Sequence, residues 1–203
     1  MKTSKLITVI GPSGVGKTAL VRALAQAGAF ATAFEQHDER AFQALLKQDT
    51  RYGLANQFDY LLLRAEQERA LRNSPQIGLI DGGLDLDYHG FTRIFHNHGL
   101  LTDPEFDLCK RLYETLRSLL PLPELIIRLR ADQGTVADRL SARDRINIAS
   151  AEDYALFESF LDEWLTRLNP AQVLELDATE NDPNYTQIVS SLLSEISDRF
   201  GKI

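Results

Sequence analysis

The octapeptide GPSGVGKT, Gly11 to Thr18, restricts what this chain can become more than any other stretch of it. Two glycines with four residues between them, followed by Lys and Thr, form the pattern of a loop that wraps phosphate groups. The surroundings agree: Leu6 to Ile10 reads as a buried β-branched strand, and Thr18 to Ala27 reads as a helix stopped by Gly28. In such a loop the backbone N–H groups of Gly11, Ser13, Gly14, Val15 and Gly16 converge on phosphate oxygens, and the helix N-terminus adds a favourable field. Lys17 would neutralise charge on the outer phosphates and Thr18 would hold a metal, so ATP and Mg²⁺ are the expected cofactors.

The remaining chain continues the alternation of strand and helix. Ala29 to Phe34, Ile77 to Asp81, Leu125 to Arg130 and Val173 to Asp177 read as further strands. Helical spacing covers Glu39 to Gln48, then Leu54, Phe58, Leu61 and Ala65, then two helices between Leu86 and Leu120, the second starting at Asp103-Pro104. A helix over Asp132 to Arg143, an amphipathic one carrying Tyr154, Phe157, Leu161, Trp164 and Leu168, and a last one ending near Arg199 complete the pattern. The expected fold class is α/β, the three-layer P-loop NTPase fold, with a five-stranded parallel sheet flanked by helices on both faces. At 203 residues, one domain spanning 1–203 is expected, since a chain of this size hides about 70–75% of its unfolded surface. Ligands in such sheets bind beyond the carboxyl ends of the strands, which places Gly11, Glu35 and Asp81 on one edge.

Charge narrows the partners. A net charge of −7 argues against a nucleic-acid binder, which needs a basic face to displace counterions. The apolar run after the first residues is five long, too short for a signal sequence or a membrane span, so no membrane partner and a cytoplasmic location are expected. The single cysteine, Cys109, reads as a small buried hydrophobe, and the four histidines show no metal-ligand spacing.

A phosphate loop alone implies only that a nucleoside triphosphate binds. The Asn-Lys-x-Asp element of a switch GTPase and the signature loop of an ABC ATPase are both missing; LKQD, Leu46 to Asp49, lies on an expected helix before the third strand. A small-molecule kinase fits best, because phosphoryl transfer needs positioning, charge neutralisation and a base for the accepting hydroxyl. Over nearly its whole length the chain resembles the deoxyribonucleoside kinases, which phosphorylate deoxynucleosides at the 5′-hydroxyl. FEQHDERAF is similar to the segment carrying the family's general base, which implies that role for Glu35. NQFDYLLLR is similar to the segment whose Gln reads the nucleobase, which implies Gln57. RLSARDR has the arginine spacing of the family's lid, here about 143–151, which implies that Arg139, Arg143 and Arg145 act on ATP phosphates, Arg143 and Arg145 also in catalysis beside Lys17. The resemblance further implies that Asp81 contributes to the substrate site and, with Thr18, to metal binding, that the acceptor is a nucleoside, and that a homodimer forms.

Three positions depart from that pattern. The acid ending the third strand is followed in the family by Arg and then Ser or Thr, whereas here Gly82 and Gly83 follow Asp81. Asn147-Ile148 stands where the lid carries acids, and Arg40-Ala41 where Asn-Pro is common. Arg93 or Arg40 is a candidate to supply the missing charge. Two other readings stay open: a non-catalytic ATP-binding module, and a kinase for another small-molecule or nucleotide acceptor.

Overall fold

The structure is a computed structural model in which residues 4–34, 39–141, 153–180 and 185–201 are described. Five strands, β1 (Leu6–Ile10), β2 (Phe30–Ala33), β3 (Ile77–Asp81), β4 (Leu125–Arg130) and β5 (Val173–Asp177), form one sheet in the order β2-β3-β1-β4-β5. Every pairing is parallel, with Val9 opposite Asp81 on one side and opposite Ile127 on the other. The central strand β1 is buried along its whole length. Its side chains alternate: Ile7 and Val9 pack with Leu20 and Leu24 of α1 (Lys17–Ala27) and Ile196 of α9 (Val189–Phe200), while Ile10 packs with Phe157 and Leu161 of α8 (Tyr154–Leu165). Helices on both faces therefore account for strands that read as apolar runs instead of an apolar-polar alternation.

The remaining helices are α2 (Ala41–Leu46), α3 (Gly53–Arg72), α4 (Leu84–Leu86), α5 (Arg93–Asn97), α6 (Asp103–Leu119) and α7 (Gln133–Ser141). The expected start of α6 is correct, with Pro104 in its first turn and the Glu105 carboxylate accepting from the Thr102 backbone N–H at 2.8 Å. The helix expected from Leu86 differs. The chain leaves β3 through Gly82 and Gly83, both at positive φ, makes the single turn α4, widens into a π-turn over Asp87–Thr92 and straightens into α5. Gly90 explains the widening, because a Cβ there would lie 2.3 Å from the Phe157 ring: the backbone itself is seated on that aromatic.

Several polar groups are buried in ways the sequence does not announce. Arg128, on β4, is 2% exposed and donates to Glu158 and Asp162 of α8 and to Glu175 of β5, tying three elements together. Cys109 is fully buried and its thiol pKa is pushed up to about 12 by burial, which leaves it inert. His89 stacks on Trp164, and burial lowers its pKa to about 3, so the ring is neutral. Tyr113 donates its one proton to Asp85, so His89 Nε2, 3.1 Å from the same hydroxyl, carries a hydrogen and donates. Asn56 is 0% exposed, and neither the nitrogen nor the oxygen of its side-chain amide has a hydrogen-bond partner among the described residues. Replacing it with leucine, which has a similar shape and no polar atoms, is expected to stabilise the protein by about 1–3 kcal/mol. Urea denaturation checks this, and a lower midpoint for Asn56→Leu would show that the amide is satisfied internally.

Candidate active site

Three glycines shape the loop between β1 and α1. Gly11, Gly14 and Gly16 all hold positive φ, and a Cβ at Gly11 would fall 2.6 Å from the Leu129 carbonyl oxygen. The residue before α1, Gly16, offers the helix no side-chain cap, so the first backbone N–H groups of α1 remain available to an anion. On the outside of the loop the carbonyls are satisfied: Arg139 donates to Val15 O at 3.1 Å and Tyr185 donates to Gly16 O at 3.4 Å. Outward carbonyls held in this way leave the N–H groups turned to the concave side. Lys17, 8% exposed, lies across the loop with Nζ donating to Gly11 O and Pro12 O, each at 2.9 Å.

Thr18, one residue into α1, donates to Asp81 Oδ2 at 2.5 Å, which brings together the two residues expected at the metal. Asp81 is 0% exposed, and its other oxygen, Oδ1, is buried without a hydrogen-bond partner among the described residues. A carboxylate oxygen in that condition beside a hydroxyl is a donor set of the kind Mg²⁺ takes, hard oxygens only. The residues present therefore fit the ion.

Arg139, expected at the ATP phosphates, donates to the backbone carbonyls of Val15, Ala178 and Thr179, bracing the phosphate loop against the segment after β5. Glu35, Arg143, Arg145, Asn147 and Ile148 lie outside the described residues. Neither candidate for the missing charge reaches Asp81. Arg40 makes a two-point fork to Asp59 of α3, and Arg93 donates to Glu163 of α8 at 2.6 Å and sits over the Phe160 ring. Both are drawn to acids nearer their own helices.

Beside Asp81, the C-terminal ends of β2 and β3 border a second group of polar side chains. Gln57 is 3% exposed and lies 2.9 Å from Thr92 Oγ1, which is also 3.0 Å from the Asp87 carbonyl. Thr92 has one proton for two acceptors: it serves Gln57 Oε1, or it serves Asp87 O while Gln57 turns its NH₂ toward the hydroxyl. The carboxamide thus has two satisfied orientations. Arg64, two turns after Gln57 on the same helix face, donates to Asp87 Oδ2 at 2.9 Å and to the Asp81 carbonyl at 3.2 Å. Arg64, Asp87, Thr92 and Tyr185 were not singled out by sequence reasoning. For Arg64 the signal was present, since an arginine seven residues after a site glutamine shares its helical face.

Comparisons with known proteins bear on this arrangement. The family described as deoxynucleoside kinase matches residues 7–199. A deoxyadenosine/deoxycytidine kinase of Bacillus subtilis (strain 168) is 22% identical over 205 residues, covering 96% of this chain and 94% of that protein. A deoxyadenosine kinase of Dictyostelium discoideum is 28% identical over 140 residues, 68% of this chain and 57% of that one. Among solved structures, the deoxyadenosine kinase of M. mycoides with bound dATP superposes with a TM-score of 0.77 at 17% identity, over 94% of this chain and 98% of that one. The same enzyme with bound dCTP gives 0.74 at 17% identity, over 93% and 99%. Both structural matches show the shared fold.

Proposed function

The chain belongs to the deoxynucleoside kinase family, and from that premise we propose that it transfers the γ-phosphoryl group of ATP to the 5′-hydroxyl of a deoxynucleoside carrying an amino-substituted base, adenine or cytosine. The observation that carries the reading is the pairing of two sites on one sheet edge, the phosphate loop with Thr18 and Asp81, and the Gln57–Thr92–Asp87–Arg64 group beside it.

On the donor side, the loop N–H groups and Lys17 bind the phosphates of ATP, and Thr18 and Asp81 would hold Mg²⁺, which when bound neutralises charge between the outer phosphates. Arg143 and Arg145 add guanidinium contacts to the transferring group, and Arg139 braces the loop from behind. On the acceptor side, Glu35, which follows β2 and its last neighbour Phe34, takes the proton of the 5′-hydroxyl as that oxygen attacks phosphorus and the β–γ bridging bond breaks. Gln57 reads the base. Adenine and cytosine present an acceptor ring nitrogen next to an amino donor, so a carboxamide that donates to the first and accepts from the second serves both. Guanine and thymine present the reverse order, which the other orientation of the carboxamide would serve, so the choice of adenine and cytosine rests on the likeness to a deoxyadenosine/deoxycytidine kinase.

Among the described residues no helix is long and apolar enough to cross a membrane. The homodimer implied by the resemblance would use α6, whose Leu108 and Leu119 are exposed. To test the function, ADP formation from Mg²⁺ and ATP is followed with each natural deoxynucleoside and ribonucleoside in turn. Deoxyadenosine or deoxycytidine is expected to stimulate it most. Stimulation only by a compound that is not a nucleoside would contradict the reading, as would tight ATP binding with no acceptor-stimulated ADP.

A further inference from the structure

We propose that Glu68 and Asp85 hold one proton between them in the folded protein, a buried proton site at the junction of α3, α4 and α6 that ties stability to pH. The site is independent of the proposed transfer. Both carboxyls are almost completely buried, Glu68 at 1% exposure and Asp85 at 2%, and both face a single guanidinium. Arg117 Nη2 donates to Glu68 Oε1 at 2.6 Å, and Arg117 Nε donates to Asp85 Oδ1 at 2.9 Å. The same two oxygens take the remaining donors: the Leu84 backbone N–H lies 3.1 Å from Glu68 Oε1, and the Tyr113 hydroxyl lies 2.8 Å from Asp85 Oδ1. Each carboxyl thus has one oxygen that accepts twice. The other two, Glu68 Oε2 and Asp85 Oδ2, are buried with no hydrogen-bond partner among the described residues.

Two carboxylates against one guanidinium would leave a negative charge uncompensated away from water, which costs far more than burying a neutral carboxyl. The surrounding elements supply no second cation. On α3, Arg64 and Arg72 lie one turn to either side of Glu68 and are engaged with Asp87 and Glu124. On α6, burial pushes the Tyr113 phenol up, and His89, which donates to its hydroxyl, is kept neutral by burial. Burial holds the Glu68 carboxyl above the usual carboxylate range, against the pull of Arg117 and with the help of Asp85. The proton belongs on an unpartnered oxygen, because Oε1 and Oδ1 already accept. In the unfolded chain both carboxyls ionise in the ordinary range, so above it folding takes one proton from solvent. Stability is full below that range, falls as pH rises through the interval up to the raised value, and levels off once the folded site ionises.

The test compares urea unfolding of the parent, Glu68→Gln and Asp85→Asn from about pH 5 to about pH 9. In either variant the amide oxygen keeps the two hydrogen bonds of the partnered oxygen, and one carboxylate remains against Arg117, so no proton is needed. The folding constant of each variant relative to the parent is expected to rise with pH, approaching about tenfold per pH unit where one proton is taken up. Both substitutions should do so alike. Calorimetric unfolding within that interval, in buffers of different ionisation enthalpy, should show the parent releasing one proton more than either variant. A substitution that only disturbed packing would shift stability equally at every pH. Such constant ratios, with no extra proton from the parent, would mean that both carboxyls are ionised or are neutralised by a bound cation, and would overturn the proposal. If one variant does not fold, the other carries the same expectation; failure of both would also overturn it, since each is expected to be at least as stable as the parent above the interval.

Discussion

Lys17→Ala is expected to lower turnover by at least about 10²–10³-fold at saturating ATP and nucleoside, the loss typical of removing one preorganised group that stabilises developing charge. Lys17 opens α1 and is almost wholly buried, its Nζ donating to Gly11 O and Pro12 O of its own loop, and in the proposed reaction the ammonium lies beside the phosphates. Its charge follows the negative charge that shifts onto the leaving phosphate as the γ-phosphoryl group departs, which is a transition-state interaction. The prediction therefore specifies kcat. Alanine is the best helix former, so the start of α1 should survive, and circular dichroism together with thermal unfolding verifies that. A variant that raised KM but kept the parent kcat would assign Lys17 to ground-state binding only.

The second large effect belongs to Glu35. Glu35→Gln should lower kcat by about 10²–10⁴-fold, the usual contribution of a general base, with ATP affinity retained. Glutamine keeps the shape and loses the basic oxygen. In the parent, protonating a catalytic carboxylate at low pH should give an acidic limb in the profile of kcat/KM against pH; in the variant the residual rate should lose that limb. Full turnover by Glu35→Gln would remove the base from Glu35 and return the acceptor side to the open alternatives.

Much of the framework was readable from residues because its physics is local. β1, β3 and β4 begin and end where their apolar runs do, as strands buried along nearly their whole length must, and β5 keeps its expected bounds although it is a half-exposed edge strand. The phosphate loop and the start of α6 follow from glycine, proline and capping chemistry that acts within one turn. β2 is a residue shorter at each end than the sequence suggests, and α2 is shorter too, as expected of elements without fully buried residues. The π-turn at Asp87–Thr92 was not readable, since it depends on Phe157 reaching Gly90 from a helix far along the chain.

The site divides along the same line. Thr18 and Asp81 meet because both lie at predictable ends of predictable elements on one edge. The search for a compensating charge went to Arg40 and Arg93, which the fold pairs with Asp59 and Glu163. Arg64 was overlooked although it lay inside the segment already assigned to the acceptor, because which way a long side chain reaches depends on the empty space over Gly82. For Arg139 the resemblance implied a phosphate ligand, and the fold gives its donors the backbone carbonyls of Val15 and Ala178.

The central claim is that the acceptor is the 5′-hydroxyl of a nucleoside. It is tested most directly by incubating the protein with Mg²⁺, ATP and either a 2′-deoxynucleoside, deoxyadenosine and deoxycytidine in turn, or its 2′,5′-dideoxy counterpart, and identifying products by mass. The account predicts a nucleoside monophosphate and matching ADP from the first compound and neither from the second. Equal ADP from both, or none from either in protein shown to bind ATP, would contradict it.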